Sequence, residues 1–181
     1  ILLLQSINLG MESQTKVIKQ IAKDLKSKDQ SVIQKALEKT RAKGNEYLID
    51  PLVNLYTTSK DEQIKDEIKN IFSELKNDQS INYLLPYLDD NRKEVKELIL
   101  FSIWSSGIDV GDYLKEITQA ACTGNYMVIL EALTVIENLE GPFSEEDVFQ
   151  ASTLLQEQLY ELPDGSKKEL LNSMYHFVQK M

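Results

Sequence analysis

Residues that could carry chemistry are few in this 181-residue chain, and they form no recognisable reactive set. Glu145, Glu146 and Asp147 resemble a metal cluster, because carboxylate oxygens bind hard cations. Three consecutive helical residues point in different directions, however, so these acids are better explained as negative charge at a helix N-terminus. We therefore predict no metal site and no cofactor.

Nucleophilic and acid–base catalysis is limited by the single histidine, His176, and the single cysteine, Cys122. One histidine excludes a multi-histidine metal site and argues against a Ser–His or Cys–His triad. The sequence also has no Gly-rich phosphate loop, CxxC pair, HExxH or GxSxG motif. We expect no catalytic residues, and we expect Cys122 to be a small core residue in a cytoplasmic, reducing environment.

Side chains suited to holding a partner are more numerous than catalytic ones. The candidate partner-binding residues are charged positions expected to be exposed on helices, and two tyrosines one turn apart: Lys65, Lys69, Arg92, Lys96, Glu131, Tyr83 and Tyr87. The two tyrosines could form an exposed aromatic anchor or pack against a neighbouring repeat, and we favour the second interpretation. Trp104 lies on an apolar stripe beside Ile103 and is predicted to be a core residue.

Charge is distributed unevenly along the chain, whose net charge is -9. Residues 11–44 carry +5, residues 45–107 carry -5 and residues 108–181 carry -9. Each phosphate contact needs a cation, so the acidic balance argues against nucleic acid as a partner. Contact between the basic and acidic ends of two copies could give weak self-association, with an apparent mass that falls as salt rises; otherwise we expect a monomer.

Helices must position these side chains, and apolar residues recur at helical spacing from about residue 13 onward. Val32, Ile64, Val95 and Val128 each begin the apolar stripe of a second helix, at separations of 32, 31 and 33 residues. A near-constant period with helix–loop–helix content indicates an α-solenoid. The helix near residues 126–140 is apolar on nearly all sides, so we expect it to be the most buried element.

The stretch PYLDDNRKEVKELILFSIWSSG resembles the HEAT repeat, which has Pro and Leu in its first helix, Asp in the turn, and Val followed by a basic residue in its second. The matching residues in two successive units are Pro51, Leu52, Leu55, Asp61, Ile64 and Lys65, then Pro86, Leu88, Asp90, Val95 and Lys96. Ile33 and Ile129 depart from the pattern, because the family has a basic residue there.

The resemblance implies an all-α fold, a right-handed α-solenoid of about four to five antiparallel helix pairs. We predict one domain over residues 13–181, with repeats at about 13–44, 45–77, 78–107, 108–141 and 142–181. Residues 1–12 are predicted to be an N-terminal extension. Its apolar opening lacks a basic region and a cleavage site, so it could be a first packing segment or, as we favour, residues ahead of a start at Met11.

In such proteins the second helices usually line a concave surface that holds a partner. We therefore predict a non-catalytic protein–protein interaction or scaffold module with no membrane-spanning segment. The alternative is a HEAT-like enzyme or enzyme accessory, resembling either DNA alkylpurine glycosylases or pigment lyases. A deep pocket with converging carboxylate, aromatic and Arg groups would favour that alternative, whereas a broad open surface would favour the binding module.

Overall fold

The computed structural model describes residues 15–75 and 78–181. The predicted extension at residues 1–12 lies outside these residues. The chain divides into two compact units, residues 1–71 and residues 72–181. The predicted single domain and its five repeat boundaries stay predictions, and each unit is described by itself below.

The first unit is built from helices joined by short turns. Helix α1 covers residues 15–24, α2 is Gln30–Lys43, α3 is Ile49–Thr58 after a 3₁₀ turn at Glu46–Leu48, and α4 is Glu62–Ser73. Pro51 occupies the first turn of α3, where the missing amide donor costs no helical hydrogen bond.

Aspartates in equivalent turns start the second helices of the first unit in the same way. The Asp29 carboxylate accepts the Ser31 amide at 2.8 Å, and Asp61 accepts the Gln63 amide at 2.9 Å. Each bond satisfies one of the amide donors that a helix leaves unpaired at its beginning. The Gln30 amide group also donates to the Asp61 carboxylate, which ties the start of α2 to the start of α4.

The second unit also consists of helices joined by short turns, and in its last pair the first helix is longer than the second. Its elements after the shared helix α4 are α5 (Ile81–Leu84) with a 3₁₀ extension (Leu85–Asp89), α6 (Lys93–Ser106), α7 (Leu114–Cys122), α8 (Tyr126–Glu137), α9 (Glu145–Glu161) and α10 (Ser166–Val178). In sequence order, the described residues therefore form five helix pairs and no strand.

Packing between these helices follows the pattern of a solenoid. Within pairs, α7 packs on α8 and α9 packs on α10. Between pairs, α6, α8 and α10 form one layer of second helices, and α7 and α9 form the layer of first helices. Each pair thus buries the apolar face that its neighbour cannot bury alone. The predicted fold class, an all-α solenoid of four to five helix pairs, is confirmed.

Three of the four residues that mark the repeat lie in the interior: Ile64 is 5% exposed, and Val95 and Val128 are fully buried. Val32 is only half-buried, and the adjacent Ile33 is the buried residue of its helix. Six of the twelve residues of α8 are buried, whereas α7 has a larger buried share, five of its nine residues. The expectation that α8 is the most buried element is therefore wrong, because its first turn faces solvent.

Candidate partner-binding surface

Two of the predicted partner-binding cations lie in the first unit, on α4. Lys65 and Lys69 are four residues apart on one helix face, and both are half-buried. The Lys65 ammonium is 3.2 Å from a carboxylate oxygen of Glu62 and 5.8 Å from the centre of the Tyr56 ring. Lys65 is thus held by contacts within its own unit, and a partner anion would compete with Glu62.

Arg92 is exposed at the start of α6, but its guanidinium group is already engaged. Nε donates to one Asp90 carboxylate oxygen at 2.9 Å, and an Nη nitrogen donates to the other at 2.6 Å. This paired geometry is the strong form of a charge-assisted hydrogen bond. It lowers the pKa of Asp90 and raises that of Arg92.

Lys96 is only 4% exposed, so the prediction that its side chain is exposed is wrong. Its ammonium group donates to the Thr123 hydroxyl at 2.7 Å, and Lys93 donates to the Thr123 backbone carbonyl. Thr123 follows the last residue of α7, where unpaired carbonyl groups concentrate negative charge and attract cations. Burial lowers the pKa of Lys96. We call Lys93, Lys96 and Thr123 the lysine clamp, because they join α6 to the end of α7.

Tyr83 and Tyr87 do not lie on one regular α-helix. Tyr83 belongs to α5, whereas Tyr87 belongs to the 3₁₀ extension that begins at Leu85. A 3₁₀-helix has three residues per turn, so a spacing of four no longer aligns two side chains on one face. Both tyrosines are half-buried.

Trp104 is not the core residue that the sequence predicts, since its side chain is 38% exposed. Ile103 takes the inward position of α6, and one residue further along a helix is about 100° further around it. The indole nitrogen of Trp104 donates to a Glu131 carboxylate oxygen at 2.5 Å, and its ring meets Phe101 edge-on at 5.4 Å. The structure therefore brings the predicted residue Glu131 together with an aromatic residue that sequence reasoning missed.

A second hydrogen bond joins α6 to α8 nearer their N-terminal ends. The Asn125 side-chain amide donates to a Glu97 carboxylate oxygen at 2.8 Å, a separation of 28 residues. Trp104 and Glu131 are 27 residues apart. Nearly equal separations at two points indicate that α6 and α8 run side by side in the same direction. We call this line of contacts, formed by Glu97, Trp104, Asn125 and Glu131, the α6–α8 seam.

The seam ends at a groove of about 310 Å³. Its lining comes from the C-terminal parts of α6 and α8 and from the loops that follow them: Ile103, Trp104, residues 107–110, Val135 and residues 138–140. Gly107 adopts a positive φ of 69°, which only glycine takes readily, and so turns the chain out of α6. No periodic signal in the sequence marks these loop residues, so sequence reasoning could not find the groove.

The single cysteine and the single histidine lie on different helices, α7 and α10. In the part of the chain that the structure describes, no cluster of three or more His, Cys, Asp or Glu residues could hold a metal ion. Cys122 is half-buried, its thiol lies 3.8 Å from the Leu154 carbonyl oxygen, and burial raises its pKa to about 11. His176 is exposed, with its ring 5.8 Å from that of Tyr175.

Across residues 15–75 and 78–181, no helix is both long enough and apolar enough to cross a membrane.

Comparison with known families matches residues 5–108 to the family model described as delta endotoxin, N-terminal domain. Among solved structures, a designed armadillo repeat protein is similar at 18% sequence identity and a TM-score of 0.34, over 89% of this chain and 99% of that protein. A comparison with curated proteins gives no significant match. The assignment as a helical repeat protein rests on the chain's own helix pairing.

Proposed function

The chain belongs to the delta endotoxin N-terminal domain family, and we propose that it acts as a non-catalytic protein-interaction module whose binding surface is the α6–α8 seam. The observation that supports this proposal most is the exposed Trp104, whose ring has two side-chain contacts. Its indole ring is held from two directions, by Phe101 and by Glu131. A rigid, half-exposed aromatic side chain loses little conformational entropy when a partner covers it, and Trp is enriched at the centres of protein interfaces.

The first turn of α8 adds apolar surface to the same layer of second helices. Tyr126 is 41% exposed and Met127 is 43% exposed, whereas six other residues of α8 are buried. Aromatic residues and methionine are enriched at interfaces, while scattered single apolar residues need no explanation. Two exposed apolar residues, Tyr126 and Met127, thus lie beside one end of the seam. Trp104 lies further along the seam, with polar side chains between.

We further propose that the repeats are of the HEAT kind and that the module works as a scaffold in the cytoplasm. The turns support the first part, because Asp90 accepts the amide of the second residue after it, Arg92, at 2.8 Å, as Asp29 and Asp61 do with theirs. Asp90 lies two residues before the N-cap of α6, however, whereas Asp29 and Asp61 directly precede their helices. The free thiol of Cys122 suits a reducing compartment. Binding by shape and fixed side chains requires no cofactor.

A cross-linking experiment in lysate of the source cells tests the proposal. A photoreactive amino acid replaces Met127, next to the seam, in the otherwise native chain and in its Trp104→Ala and Phe149→Ala variants. Phe149 is 67% exposed on α9, in the other layer of helices, so its variant is a matched loss of an exposed aromatic ring. We expect a defined protein to be cross-linked by the parent chain and by Phe149→Ala, and to be lost in Trp104→Ala. Equal cross-linking in all three chains, or none in the parent, would overturn the proposal.

A further inference from the structure

The groove at the end of the α6–α8 seam is lined by apolar and acidic residues. Its apolar floor includes Ile103, Val135 and Leu139, and its rim carries the carboxylates of Asp109 and Glu140. Among the described residues that line it, none is a Lys, Arg or His. Both acids are exposed at the rim, and Asp109 uses one carboxylate oxygen to accept the Gly111 amide at 3.0 Å.

Two helices also end at this groove, which strengthens its negative potential. Helix α6 ends at Ser106 and α8 ends at Glu137, each immediately before a lining loop. The last carbonyl groups of a helix carry partial negative charge, which attracts a cation placed beside them. Two helix ends and two carboxylates together favour a positively charged occupant over a neutral or acidic one.

Trp104 gives the groove an aromatic wall in a fixed orientation. Because its indole N–H is committed to Glu131, the ring can offer a partner only its π-surface and its apolar edge. A cation near the face of an indole ring gains more than near any other aromatic side chain. A guanidinium group is planar, stacks on aromatic rings and can bind a carboxylate through two parallel hydrogen bonds, whereas an ammonium group cannot.

We propose that this groove is a binding site for the guanidinium group of an arginine side chain on the protein partner. The arginine stacks its aliphatic stem and guanidinium plane on Trp104 and donates hydrogen bonds to Asp109 and Glu140. This inference rests on the proposed function and names the chemistry that the partner must present at one end of the seam. It also assigns a role to loop residues that the helical repeat itself does not require.

A titration with two matched peptides tests this assignment. The probes are a tripeptide with arginine between two glycines, capped at both ends, and the same peptide with citrulline, which keeps the shape of arginine but not its charge. Trp104 is the only tryptophan in the chain, so its indole signal in a ¹⁵N–¹H spectrum reports directly on the groove. We expect saturable shifts with the arginine peptide and at least about tenfold weaker binding of the citrulline peptide, as losing a cation–π contact and an ion pair implies.

Two double variants separate a specific site from general attraction to an acidic protein. Asp109→Asn with Glu140→Gln removes the rim carboxylates, whereas Glu145→Gln with Glu146→Gln removes two exposed carboxylates at the start of α9. We expect the first pair to weaken arginine binding about tenfold and the second to leave it unchanged. Equal binding of both peptides, or equal loss in both double variants, would overturn the site.

Failure of this inference is distinguishable from failure of the proposed function. Cross-linking that depends on Trp104, without arginine binding, would leave the interaction module in place and remove the groove. Arginine binding without any cross-linked protein would support the groove and contradict the interaction module.

Discussion

The two ends of α6 treat their functional side chains in opposite ways. At its N-terminal end, the buried Lys96 and the exposed Lys93 both donate to Thr123 at the end of α7. At its C-terminal end, Trp104 stays 38% exposed beside a groove with two carboxylates on its rim. The lysines of α6 therefore bind the neighbouring repeat, whereas its tryptophan remains partly exposed to solvent.

The difference shows that the binding surface of a repeat consists of the side chains that the next repeat does not cover. Lys96 lies opposite the C-terminal end of α7, where the Thr123 hydroxyl accepts its hydrogen bond and the helix dipole favours a cation. Trp104 lies opposite Glu131, in the middle of a helix, which fixes the indole nitrogen but covers only part of the ring. Register against the neighbouring helix, rather than residue type, decides which side chains remain available.

Both ends depend on the core that α8 shares with α6, and Val128→Asp is the largest disturbance of that core. Val128 is fully buried, one turn after the Asn125 cap. An unpaired carboxylate there should lower the free energy of unfolding by on the order of 5 kcal/mol. Thermal unfolding followed by circular dichroism measures the loss, and both the clamp and the groove should be lost together.

Met127→Asp is the matched control, because it places the same carboxylate one residue earlier at a position that is 43% exposed. A negative charge in the first turn of a helix is favourable, so we expect a change within about 0.5 kcal/mol. An unchanged melting temperature in Val128→Asp would contradict the shared core.

Lys96→Glu tests the claim that the clamp end is structural. A buried carboxylate beside the last carbonyls of α7, with Lys93 as the nearest cation, should cost about 3 kcal/mol. Lys96→Met keeps the length of the side chain, loses one hydrogen bond, and should cost about 1 kcal/mol. Cys122, the last residue of α7, supplies a local readout, since its thiol should react with a disulfide reagent faster in Lys96→Glu.

The pH dependence of stability tests the burial of Lys96 at the clamp end of α6. Burial lowers the pKa of Lys96 below its usual 10.5, so between the folded pKa and 10.5 the unfolded chain binds more protons than the folded one. Stability of the native chain relative to Lys96→Met should therefore rise with pH through that window. Lys115→Glu, at an exposed position of α7, should leave stability and Cys122 labelling nearly unchanged.

The sequence predicts the helix pairs well because their signals are local. The apolar stripes that begin at Ile64, Val95 and Val128 follow from spacings of three and four residues, and the structure confirms that these three residues are buried. The residues that matter at the surface depend on contacts some 27 to 28 residues away.

For that reason, three features of the candidate site could not be predicted from the sequence. Burial of Lys96 requires the end of α7 to lie opposite, and exposure of Trp104 requires Ile103 to take the inward position. Pro86 signals an interruption of the helix near Leu85, but it does not signal the 3₁₀ geometry that separates Tyr83 from Tyr87.

The smallest expected effect is at the groove end, where Asp109→Asn with Glu140→Gln should change the free energy of unfolding by less than about 0.5 kcal/mol. Both acids are exposed, and Asn at position 109 keeps an oxygen that can accept the Gly111 amide. Urea unfolding measures the change, in the same preparation used for arginine binding. A loss above about 1 kcal/mol would mean that these carboxylates hold the loops in place, and the two ends of α6 would then both be structural. An unchanged free energy of unfolding with weakened arginine binding would instead show that the two ends of α6 have separate roles. The N-terminal end would then determine folding, and the C-terminal end only recognition.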